Sequence, residues 1–544
     1  MRDIIPVKKN KTESHPVFNH SLADNLNNII AEEETSSNFF QETGKPASQI
    51  RHGNKKSRLW KIFYWLFLII LLGSIAYGLF FVIKINATSK KIVITLNNDV
   101  DLSLLDTLKT IATSDASRLK SQDEKINILL LGTAGVGKAG KNLTDTLMIA
   151  SINKATKQVA LLSLPRDLFV IVPELKAQMK INSVYQYGLS AFSENQNQAA
   201  ELVEKTIEEI TDLPINYYVI LNFSGFEKII DSVGGINIMN ELDIYDTRYP
   251  GPNFSYETFE LSKGFHRLDG ATALKYVRER HNDPEGDFGR AKRQQQVLVS
   301  TKNKIFSVGT FLNPFKLNEL LNALENNIAT NIQPDELIGF LELVKKLDTQ
   351  NINTVVIDAW NKESLLKVSH VFYGDLRSFI LVPRVGNWSE IQELANNIFD
   401  LNEIRRKKEE IQKEDARVLI VNQSGHYQLA EKIRKLLDEN LNYKKVTVSN
   451  ISSQKLTDSS LIYDGTRGNK PFTLSEIATK LPAKVASYET CPETLCQNDN
   501  YDIVVVVGKD LIERYTIEED TLEDLNNARD QEEQLNYIDL SKNK

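Results

Sequence analysis

A short cationic stretch contains the residues of this sequence that are suited to binding an anion. It runs from Val277 to Gln296 and reads VRERHNDPEGDFGRAKRQQQ. Its cations are Arg278, Arg280, Arg290, Lys292 and Arg293. The whole protein of 544 residues has a net charge of −7, so this positive charge is local. Guanidinium groups form paired hydrogen bonds with phosphate oxygens, and the stretch therefore predicts a clamp on a diphosphate or a similar multiply charged group.

The spacing within this stretch determines which side chains act together. Arg278 and Arg280 share a face if the chain is extended there, because side chains alternate along a strand. A helix that begins near Phe288 places Arg290 and Gln294 four residues apart on one face. The alternative is a basic helix face that is simply solvated. The rest of the sequence favours the clamp.

Length and composition limit the classes of protein that this chain can belong to. A chain of 544 residues has room for roughly three to four domains, and 41% hydrophobic with 25% charged residues is typical of globular protein. A pI of about 5.7 argues against a general nucleic-acid binder, so no nucleic-acid partner is expected. The two cysteines, Cys491 and Cys496, are too few for a disulfide-built fold or for a zinc site of four thiolates.

The N-terminal part of the chain changes character abruptly. Residues 1–50 are polar, and we expect a disordered cytoplasmic tail followed by a basic juxtamembrane segment at 51–61. Residues 62–83 carry no charge over a length that crosses a hydrocarbon core of about 30 Å, which predicts a transmembrane helix. The apolar core of a cleaved signal peptide would be shorter and nearer the N-terminus. The basic flank faces the cytoplasm, which places the C-terminal domains outside the cell membrane.

A glycine-rich loop matches most of a phosphate-binding Walker motif. The loop, Gly132 to Lys138, reads GTAGVGK, but Ala139 stands where the motif needs Ser or Thr. The next run, LTDTLMIASIN, predicts a strand, whereas the motif needs a helix whose N-terminus faces the phosphates. A domain outside the cytoplasm also has little ATP to use. A nucleoside triphosphatase is therefore not expected.

The elements around this loop predict an α/β domain. Three strand-like runs between Lys125 and Pro165 are separated by turns and suggest a meander. Arg166 stands at the end of the third run, where scaffolds commonly display their working residues. A helix from about Glu194 to Thr211, a strand, and a helix stopped by Gly234 and Gly235 lead to the cationic stretch.

Six motifs resemble those of the LytR–CpsA–Psr family in order and approximate spacing. They are LTDTLMIASIN, SLPRDLFV, KINSVYQYG, SVGGINI, LDGATALKYVRER and DFGRAKRQQQ. The resemblance covers about residues 125–400 and implies a single-pass membrane protein whose extracytoplasmic α/β/α core is catalytic. It also implies that the core holds a polyprenyl diphosphate lipid and moves a glycopolymer from that carrier onto peptidoglycan through a phosphodiester link. Residues 84–124 are expected to be a linker or accessory segment.

The resemblance also implies roles for individual residues. The diphosphate ligands would be Arg166, Arg278, Arg280 and Arg290, with further contacts from Lys180 and Gln294. Asp145 would bind magnesium, the expected cofactor, although a strand-end residue that caps a turn is the plainer interpretation. Such a site would work by neutralising charge on phosphate oxygens and by positioning the nucleophile.

Two further positions bear on the chemistry of this site. Asp287, three residues before Arg290, would orient that arginine, touch the metal, or take the proton from an incoming sugar hydroxyl. A carboxylate among arginines has a lowered pKa, so orientation or metal binding is favoured over a strong base. The family usually has an aspartate after the first strand, in a G-x-D pattern, where this chain has Ala134. Magnesium would then be held by Asp145, lipid phosphates and water.

Three function classes follow. The favoured class is a magnesium-assisted glycopolymer phosphotransferase. The second is a hydrolase that releases phosphate or diphosphate from polyprenyl lipids, with water as the acceptor. The third is a non-catalytic lipid-binding or cell-wall-binding protein, which the missing carboxylate at Ala134 favours. A transcription regulator conflicts with the predicted topology.

An isoprenoid tail also needs an apolar cleft. Candidates at helical spacing are Phe223, Phe226, Ile229, Ile230 and Val233, although such spacing is more typical of plain core. His266 and His281 show no metal-ligand spacing, and we expect them to be surface or structural residues.

The remainder of the chain predicts a second domain. Residues 306–400 look mostly helical and complete the core, and residues 401–415 form a solvated, charged helical linker. Residues 416–512 form a smaller α/β unit that resembles the C-terminal domain of LytR-type proteins. The two cysteines lie in this unit and either form a small-loop disulfide or remain free thiols. Residues 513–544 are an acidic tail for which we expect disorder.

Overall fold

The structure is a computed structural model that describes residues 83–84, 119 and 124–520. Gaps within this range lie at 139, 252–254, 281–282, 308–313, 325, 334–335, 349–351, 360–363, 375, 440–444, 450–455 and 497–499. The predicted cytoplasmic tail, the basic segment and the transmembrane helix, apart from Ile83, lie outside the described residues. Among the residues that are described, no helix is both long and apolar enough to cross a membrane.

Runs of strands and runs of helices follow one another along the described chain. In chain order the strands are β1 (Lys125–Thr133), β2 (Thr144–Asn153), β3 (Val159–Leu164), β4 (Phe169–Ile171), β5 (Gln178–Lys180), β6 (Tyr217–Asn222), β7 (Ile236–Asn240), β8 (Ile244–Pro250), β9 (Tyr256–Leu261), β10 (Gly264–Leu268), β11 (Ile328–Thr330), β12 (Asn353–Val356), β13 (Leu366–Tyr373), β14 (Leu376–Pro383), β15 (Val418–Asn422), β16 (Val446–Ser449), β17 (Leu461–Asp464), β18 (Lys484–Ala486) and β19 (Ile503–Val507). The helices are α1 (Val184–Ala191), α2 (Gln196–Thr211), α3 (Phe223–Ser232), α4 (Gly270–Arg278), α5 (Asp287–Ile305), α6 (Pro314–Leu324), α7 (Glu336–Lys345), α8 (Ser389–Asn396), α9 (Asn402–Glu414), α10 (Leu429–Glu439), α11 (Pro471–Lys480), α12 (Glu493–Cys496) and α13 (Ile512–Tyr515). Short 3-10 turns lie at Ile181–Ser183, Tyr488–Thr490 and Lys509–Leu511.

A six-stranded sheet in the order β11-β6-β1-β2-β3-β12 forms the centre of the first domain. β1, β2 and β3 pair antiparallel, which confirms the predicted meander, while β6 and β12 run parallel to β1 and β3. Leu129 and Leu131 of β1 pack in a core cluster with α1 and α2, whereas Leu130 packs near Leu298 of α5. Because side chains alternate along a strand, the sheet is covered on both faces, and the fold is α/β/α.

Two helix boundaries follow from local backbone chemistry. The helix predicted from Glu194 begins at Gln196, because Glu194 has a φ of 63° and the Asn195 side chain accepts a hydrogen bond from the N–H of Gln198. Helix α3 ends at Ser232, shortly before Gly234 and Gly235. These glycines have φ values of 79° and 84°, a region that favours glycine and ends a helix.

The prediction that residues 306–400 are mostly helical is only partly right. Helices α6, α7 and α8 are present, but β11 and β12 extend the central sheet and β13 and β14 form an antiparallel hairpin. The hairpin strands contain Val, Ile, Phe and Tyr, which favour a strand over a helix. The N–H of Leu381 in β14 donates to the backbone oxygen of Asp167 at 2.9 Å, so the hairpin lies directly beside Arg166.

The C-terminal region forms the second α/β unit that the sequence predicts. Its five-stranded sheet has the order β16-β15-β19-β17-β18, and the central strands β15 and β19 are almost fully buried. Such apolar runs are typical of strands covered on both faces. Cys491 and Cys496 form a disulfide with their Cα atoms 6.1 Å apart, which resolves the two alternatives that the sequence left open.

The segment predicted as a solvated linker is a helix, α9, that is mostly exposed, as predicted, but packs along one side. Ile411 is buried, and the ammonium group of Lys407 lies 2.8 Å from Glu393 of α8. Glu414 accepts hydrogen bonds from the N–H groups of Phe472 and Thr473 at 3.0 and 2.7 Å, which caps the start of α11. The connector therefore ties the two domains together.

The start of the predicted acidic tail, residues 513–520, also makes specific contacts. The hydroxyl of Tyr515 lies 2.7 Å from the backbone oxygen of Val385. Asp520 lies 2.7 Å from His370 and 2.9 Å from Arg377, both on the hairpin β13–β14. The described part of this segment therefore belongs to the folded structure, in contrast to the prediction; residues 521–544 lie outside the described range.

Candidate functional site

Four arginines from separate parts of the chain meet at one edge of the central sheet. They are Arg166, Arg278, Arg280 and Arg290, referred to below as the arginine cluster. Arg166 follows β3, beside Asp145 at the start of β2, because the two strands are antiparallel. Arg278 is the last residue of α4 and not part of an extended strand, whereas Arg290 lies in the first turn of α5, as predicted.

Ion pairs and one backbone hydrogen bond link Arg166 and Arg290 through two aspartates. Nη1 of Arg166 lies 3.1 Å from Oδ1 of Asp145, and its Nε lies 3.7 Å from Oδ2 of Asp287. The same Asp287 oxygen accepts a hydrogen bond from Nη2 of Arg290 at 3.0 Å. Arg290 also donates to the backbone oxygen of Asp145 at 3.2 Å. Asp287 thus contacts both arginines, which is the geometry that an orienting role requires.

Burial and neighbouring charges set the protonation of these groups. Burial lowers the pKa of Arg290 to about 10, and Asp287 opposes this change, so Arg290 remains charged at neutral pH. Burial raises the pKa of Asp145, but the charges of Arg166 and Arg290 and a hydrogen bond from Asn182 outweigh that effect. The pKa of Asp145 therefore lies below its usual value, and the group is a carboxylate at neutral pH.

A second layer of polar residues supports Arg166. The buried Asp167 carboxylate lies 3.1 Å from Nζ of Lys180 and 3.6 Å from Nε of Arg166. Asn182 donates from Nδ2 to Oδ1 of Asp145 at 3.2 Å. The structure therefore places Lys180 behind Arg166, where it neutralises the aspartate that borders that arginine.

Arg278 lies between two aromatic rings. Its guanidinium carbon is 4.8 Å from the ring centre of Phe223 and 5.6 Å from that of Tyr249. Nη1 of Arg278 also donates to the Tyr249 hydroxyl at 3.2 Å. Contacts of a cation with a ring face contribute about 0.5–2 kcal/mol each, and here they fix the plane of the guanidinium group.

A cavity of about 450 Å³ opens beside the arginine cluster. The predicted site residues that line it are Asp145, Arg166, Arg278, Arg280, Arg290 and Gln294. Much of the remaining wall is apolar and includes Leu130, Met148, Phe223, Phe226, Ile229, Ile230, Leu274 and Val297. Four of the five candidates for a lipid cleft thus line the cavity, whereas Val233 is buried in the core. Lys180 and Asp287 do not belong to the lining and stand behind it.

Asp145 is the predicted metal ligand. Its side chain is 36% exposed and lines the cavity; Oδ1 accepts from Arg166 and Asn182, while no hydrogen bond from the described residues reaches Oδ2. Ala134 lines the cavity nearby and supplies no second carboxylate. Within the described residues, no group of three or more His, Cys, Asp or Glu is arranged to hold a metal. Asp145 thus has one carboxylate oxygen open toward the cavity, and magnesium accepts such a ligand together with phosphate oxygens and water.

The glycine-rich loop after β1 does not form a Walker motif. Its backbone closes through a hydrogen bond from the N–H of Gly135 to the oxygen of Lys141 at 3.0 Å, and β2 begins at Thr144. No helix lies between β1 and β2 in the described residues, so the loop does not lead into the helix that a Walker motif requires. This confirms the prediction of a following strand and excludes a phosphate site of the Walker type here.

The sequence interpretation missed Asp167, Asn182 and Tyr249. Asp167 and Asn182 are near neighbours of predicted ligands in SLPRD and KINS, and an adjacent polar side chain was a usable signal. Tyr249 comes from the hairpin β8–β9, and no local pattern points to it. His266 lies 2.7 Å from the backbone oxygen of Ser262, which fits the structural role expected for it, while His281 lies outside the described residues.

Comparison with known proteins places this site in a wider context. Residues 79–375 match the model of the LytR_cpsA_psr family. The polyisoprenyl-teichoic acid–peptidoglycan teichoic acid transferase TagU of Enterococcus faecalis is 32% identical over 242 residues, which cover 44% of this chain and 72% of that relative. The protein of the same name from Oceanobacillus iheyensis is 32% identical over 289 residues, 53% of this chain and 82% of the relative. The crystal structure of B. subtilis TagV aligns at 24% identity and a TM-score of 0.40, covering 52% of this chain and 99% of that one.

Proposed function

This chain belongs to the LytR–CpsA–Psr family, and we propose that it is a phosphotransferase that moves a glycopolymer from a polyprenyl diphosphate carrier onto peptidoglycan. The observation that carries the proposal is the pairing of the arginine cluster with a largely apolar cavity of about 450 Å³. A polyprenyl diphosphate has the same two parts, a multiply charged head and a long apolar chain. The named relatives are teichoic acid transferases, which supports a wall glycopolymer as the cargo.

Each part of the site has a distinct task in this proposal. The apolar wall around Phe226 and Ile229 takes the polyprenyl chain, since each buried CH₂ contributes about 0.8 kcal/mol. Arg166, Arg278 and Arg290 hold the diphosphate, and each charge-assisted hydrogen bond contributes about 1.5–3 kcal/mol. Arg280 and Gln294 add contacts from the cavity wall, while Lys180 and Asp287 keep the arginines oriented from behind.

The transfer step breaks one phosphorus–oxygen bond and forms another. A hydroxyl oxygen of peptidoglycan attacks the phosphorus that bears the glycan, and the bond from that phosphorus to the bridging oxygen of the diphosphate breaks. The leaving group is polyprenyl phosphate, whose extra negative charge the arginines stabilise without needing a proton. The hydroxyl proton is lost to water late in a loose transition state, so no strong base is required of Asp287.

Magnesium is the proposed cofactor. Asp145 would hold it together with phosphate oxygens and water, and the bound ion would neutralise further charge on the donor. The absence of a second carboxylate at Ala134 favours a second candidate function, a protein that binds polyprenyl diphosphates and does not turn them over.

We also propose that residues 62–83 anchor the chain in the cell membrane, with the N-terminus in the cytoplasm and both α/β domains outside. The uncharged length of the segment and its basic flank at 51–61 support this placement. Single cysteines introduced before and after the segment, labelled with a reagent that does not cross membranes, test it. Labelling only on the C-terminal side of residue 83 is expected; labelling on the N-terminal side would overturn the orientation.

The proposed function is tested in a transfer assay with the full chain in detergent. The assay contains a polyprenyl-diphosphate-linked glycan, magnesium and a peptidoglycan oligomer. Mass spectrometry is expected to find a glycan–phosphate–peptidoglycan adduct with the wild type and not with Arg166→Ala. Lys292→Ala is a matched control, because Lys292 is an exposed cation that pairs with Glu285. Release of phosphate or diphosphate without peptidoglycan would indicate a hydrolase. Binding of the donor with neither product would indicate the binding protein.

A further inference from the structure

A β-bulge turns Tyr249 toward the cavity. β8 pairs antiparallel with β9, and the register shifts between Asp246 and Tyr249. Ile244 and Asp246 are buried in regular alternation, but two exposed residues, Thr247 and Arg248, then precede the buried Tyr249. Strict alternation would have buried Arg248 and exposed Tyr249. The bulge reverses this and makes Tyr249 part of the cavity wall, as bulges near functional sites commonly do.

The Tyr249 hydroxyl has a proton left to donate. Its oxygen accepts a hydrogen bond from Nη1 of Arg278 at 3.2 Å, and no described residue accepts one from its O–H. The side chain is only 2% exposed, so the cavity that it lines is where an acceptor would reach it. Buried donors in folded proteins nearly always have an acceptor. An acceptor that enters with the ligand would satisfy this one.

The hydroxyl is neutral and held in place. Burial raises the pKa of Tyr249 to about 12, and Arg278 only partly opposes that rise, so the group donates a hydrogen bond at physiological pH. Its ring centre lies 5.6 Å from that of Phe259 in the buried face of the hairpin. Arg278 lies over the Tyr249 ring, again at 5.6 Å. The ring is therefore held by the hairpin and by the arginine together.

We infer that the Tyr249 hydroxyl donates a hydrogen bond to a diphosphate oxygen of the lipid-linked donor, next to the contact made by Arg278. This inference rests on the proposed function and adds a neutral ligand to its charged ones. A neutral donor suits the boundary between the arginine cluster and the apolar wall, because it binds a phosphate oxygen without burying another charge. Tyr249 is thus a substrate-binding residue supplied by the hairpin β8–β9.

Binding of farnesyl diphosphate, a short polyprenyl diphosphate, to the full chain in detergent tests this contact by calorimetry. Tyr249→Phe keeps the ring and removes the hydroxyl, and it is expected to weaken binding by about tenfold, the usual effect of losing one hydrogen bond to a charged group. Uncharged farnesol is expected to bind wild type and variant equally. Tyr245→Phe is the matched control, since Tyr245 is an exposed tyrosine on the same strand.

The outcomes separate this contact from the proposed function. Wild-type binding that Arg278→Ala weakens and Tyr249→Phe does not would overturn the contact and leave the proposed function intact. An equal loss for farnesol and farnesyl diphosphate would also overturn it, because the hydroxyl would then only shape the cavity. Binding of inorganic diphosphate shows whether the contact needs the lipid chain. If Tyr249→Phe weakens binding of inorganic diphosphate and of farnesyl diphosphate equally, the hydroxyl contacts any bound diphosphate. If only farnesyl diphosphate binds more weakly, the apolar chain is needed to place the diphosphate beside the hydroxyl. Failure of the wild type to bind farnesyl diphosphate would overturn both.

Discussion

The arginine cluster and a second group of buried charges use similar ion pairs but have different surroundings. The second group, called the Lys480 cluster, consists of Lys407, Lys480, Glu390, Glu393 and Glu476. It lies where α8 of the core, the connector α9 and α11 of the C-terminal domain meet. The Lys480 side chain is 2% exposed, and its Nζ lies 3.3, 3.6 and 3.7 Å from Glu393, Glu476 and Glu390.

The balance of charge separates the two groups. In the Lys480 cluster each ammonium group contacts carboxylates of the same cluster, and none of its members lines the cavity. In the arginine cluster, Arg278 has no carboxylate within ion-pair distance among the described residues and contacts Tyr249 and Phe223 instead. A closed and paired cluster holds domains together, whereas a cation that faces a cavity without its own anion is suited to binding one.

Breaking the Lys480 cluster is expected to give the largest effect on folding. Lys480→Ala leaves one buried and two partly buried carboxylates without their central cation and should lower the free energy of unfolding by about 3–5 kcal/mol. Denaturant unfolding of the full chain measures this. Lys413→Ala, which removes an exposed cation from α9, is the control and should have little effect. A stability of Lys480→Ala equal to that of the control would contradict the structural role.

Removing an arginine that faces the cavity should do the opposite, sparing the fold and removing the activity. Arg278→Ala leaves no carboxylate unpaired, so the unfolding midpoint should stay close to that of the wild type. Turnover should fall about 10²–10³-fold, the usual cost of losing one preorganised donor to a developing charge. Steady-state kinetics and denaturant unfolding, measured on the same preparation, test both halves. Wild-type turnover in Arg278→Ala would contradict the claim that an arginine without a carboxylate partner binds the donor.

Adding a carboxylate to the cavity wall sharpens the account of the metal. Ala134→Asp adds an acidic side chain to the wall that Asp145 shares. The concentration of magnesium needed for half-maximal transfer should fall, because more of the ion's ligands then come from the protein. A magnesium titration of wild type and variant measures the change. An unchanged dependence on magnesium would mean that the ion is not held beside Ala134.

The pH dependence of stability should differ in sign between Asp145, beside the arginine cluster, and Glu390 of the Lys480 cluster, although the effects are the smallest expected. The lowered pKa of Asp145 means that its charge stabilises the fold above its usual pKa of 3.8, so Asp145→Asn is less stable at neutral pH and matches the wild type in strong acid. Burial raises the pKa of Glu390 in spite of Lys480, so its ionisation costs stability above its usual pKa of 4.5. Glu390→Gln should therefore be more stable than the wild type at neutral pH, with the gain disappearing below pH 4.5. Denaturant unfolding of the wild type and both variants, measured from strong acid to neutral pH, tests the two predictions. If both substitutions change the stability at neutral pH in the same direction, the predicted pKa shifts of Asp145 and Glu390 are contradicted.

Local patterns were sufficient to predict the order of the main elements and much of the arginine cluster. The apolar runs of β1 to β3 and the spacing of Arg290 and Gln294 on α5 are short-range features. The family motifs supplied Arg166 and Asp145. The hairpin β13–β14 was missed, although its Val, Ile and Phe residues favour a strand, because its pairing partner is not visible locally.

The contacts that distinguish the two clusters depend on long-range packing. Lys480 ends an amphipathic helix, where a lysine is ordinarily exposed, and only the docking of α8 and α9 buries it. Tyr249 faces the cavity because of a bulge that the sequence of β8 does not predict. Lys180 and Asp287 were predicted as direct participants, yet the structure places them behind the cavity lining. Whether a side chain lines the cavity or stands behind the lining depends on the tertiary fold, and the spacing of residues in the sequence does not predict it.

A structure of the full chain crystallised with a polyprenyl diphosphate is the most direct test of the central claim. The diphosphate is expected within hydrogen-bond distance of Arg166, Arg278 and Arg290, with the apolar chain beside Phe226 and Ile229. The Lys480 cluster should be unchanged in the same crystals. A diphosphate bound elsewhere, or a polyprenyl chain outside the cavity, would contradict the account of the arginine cluster as the donor site.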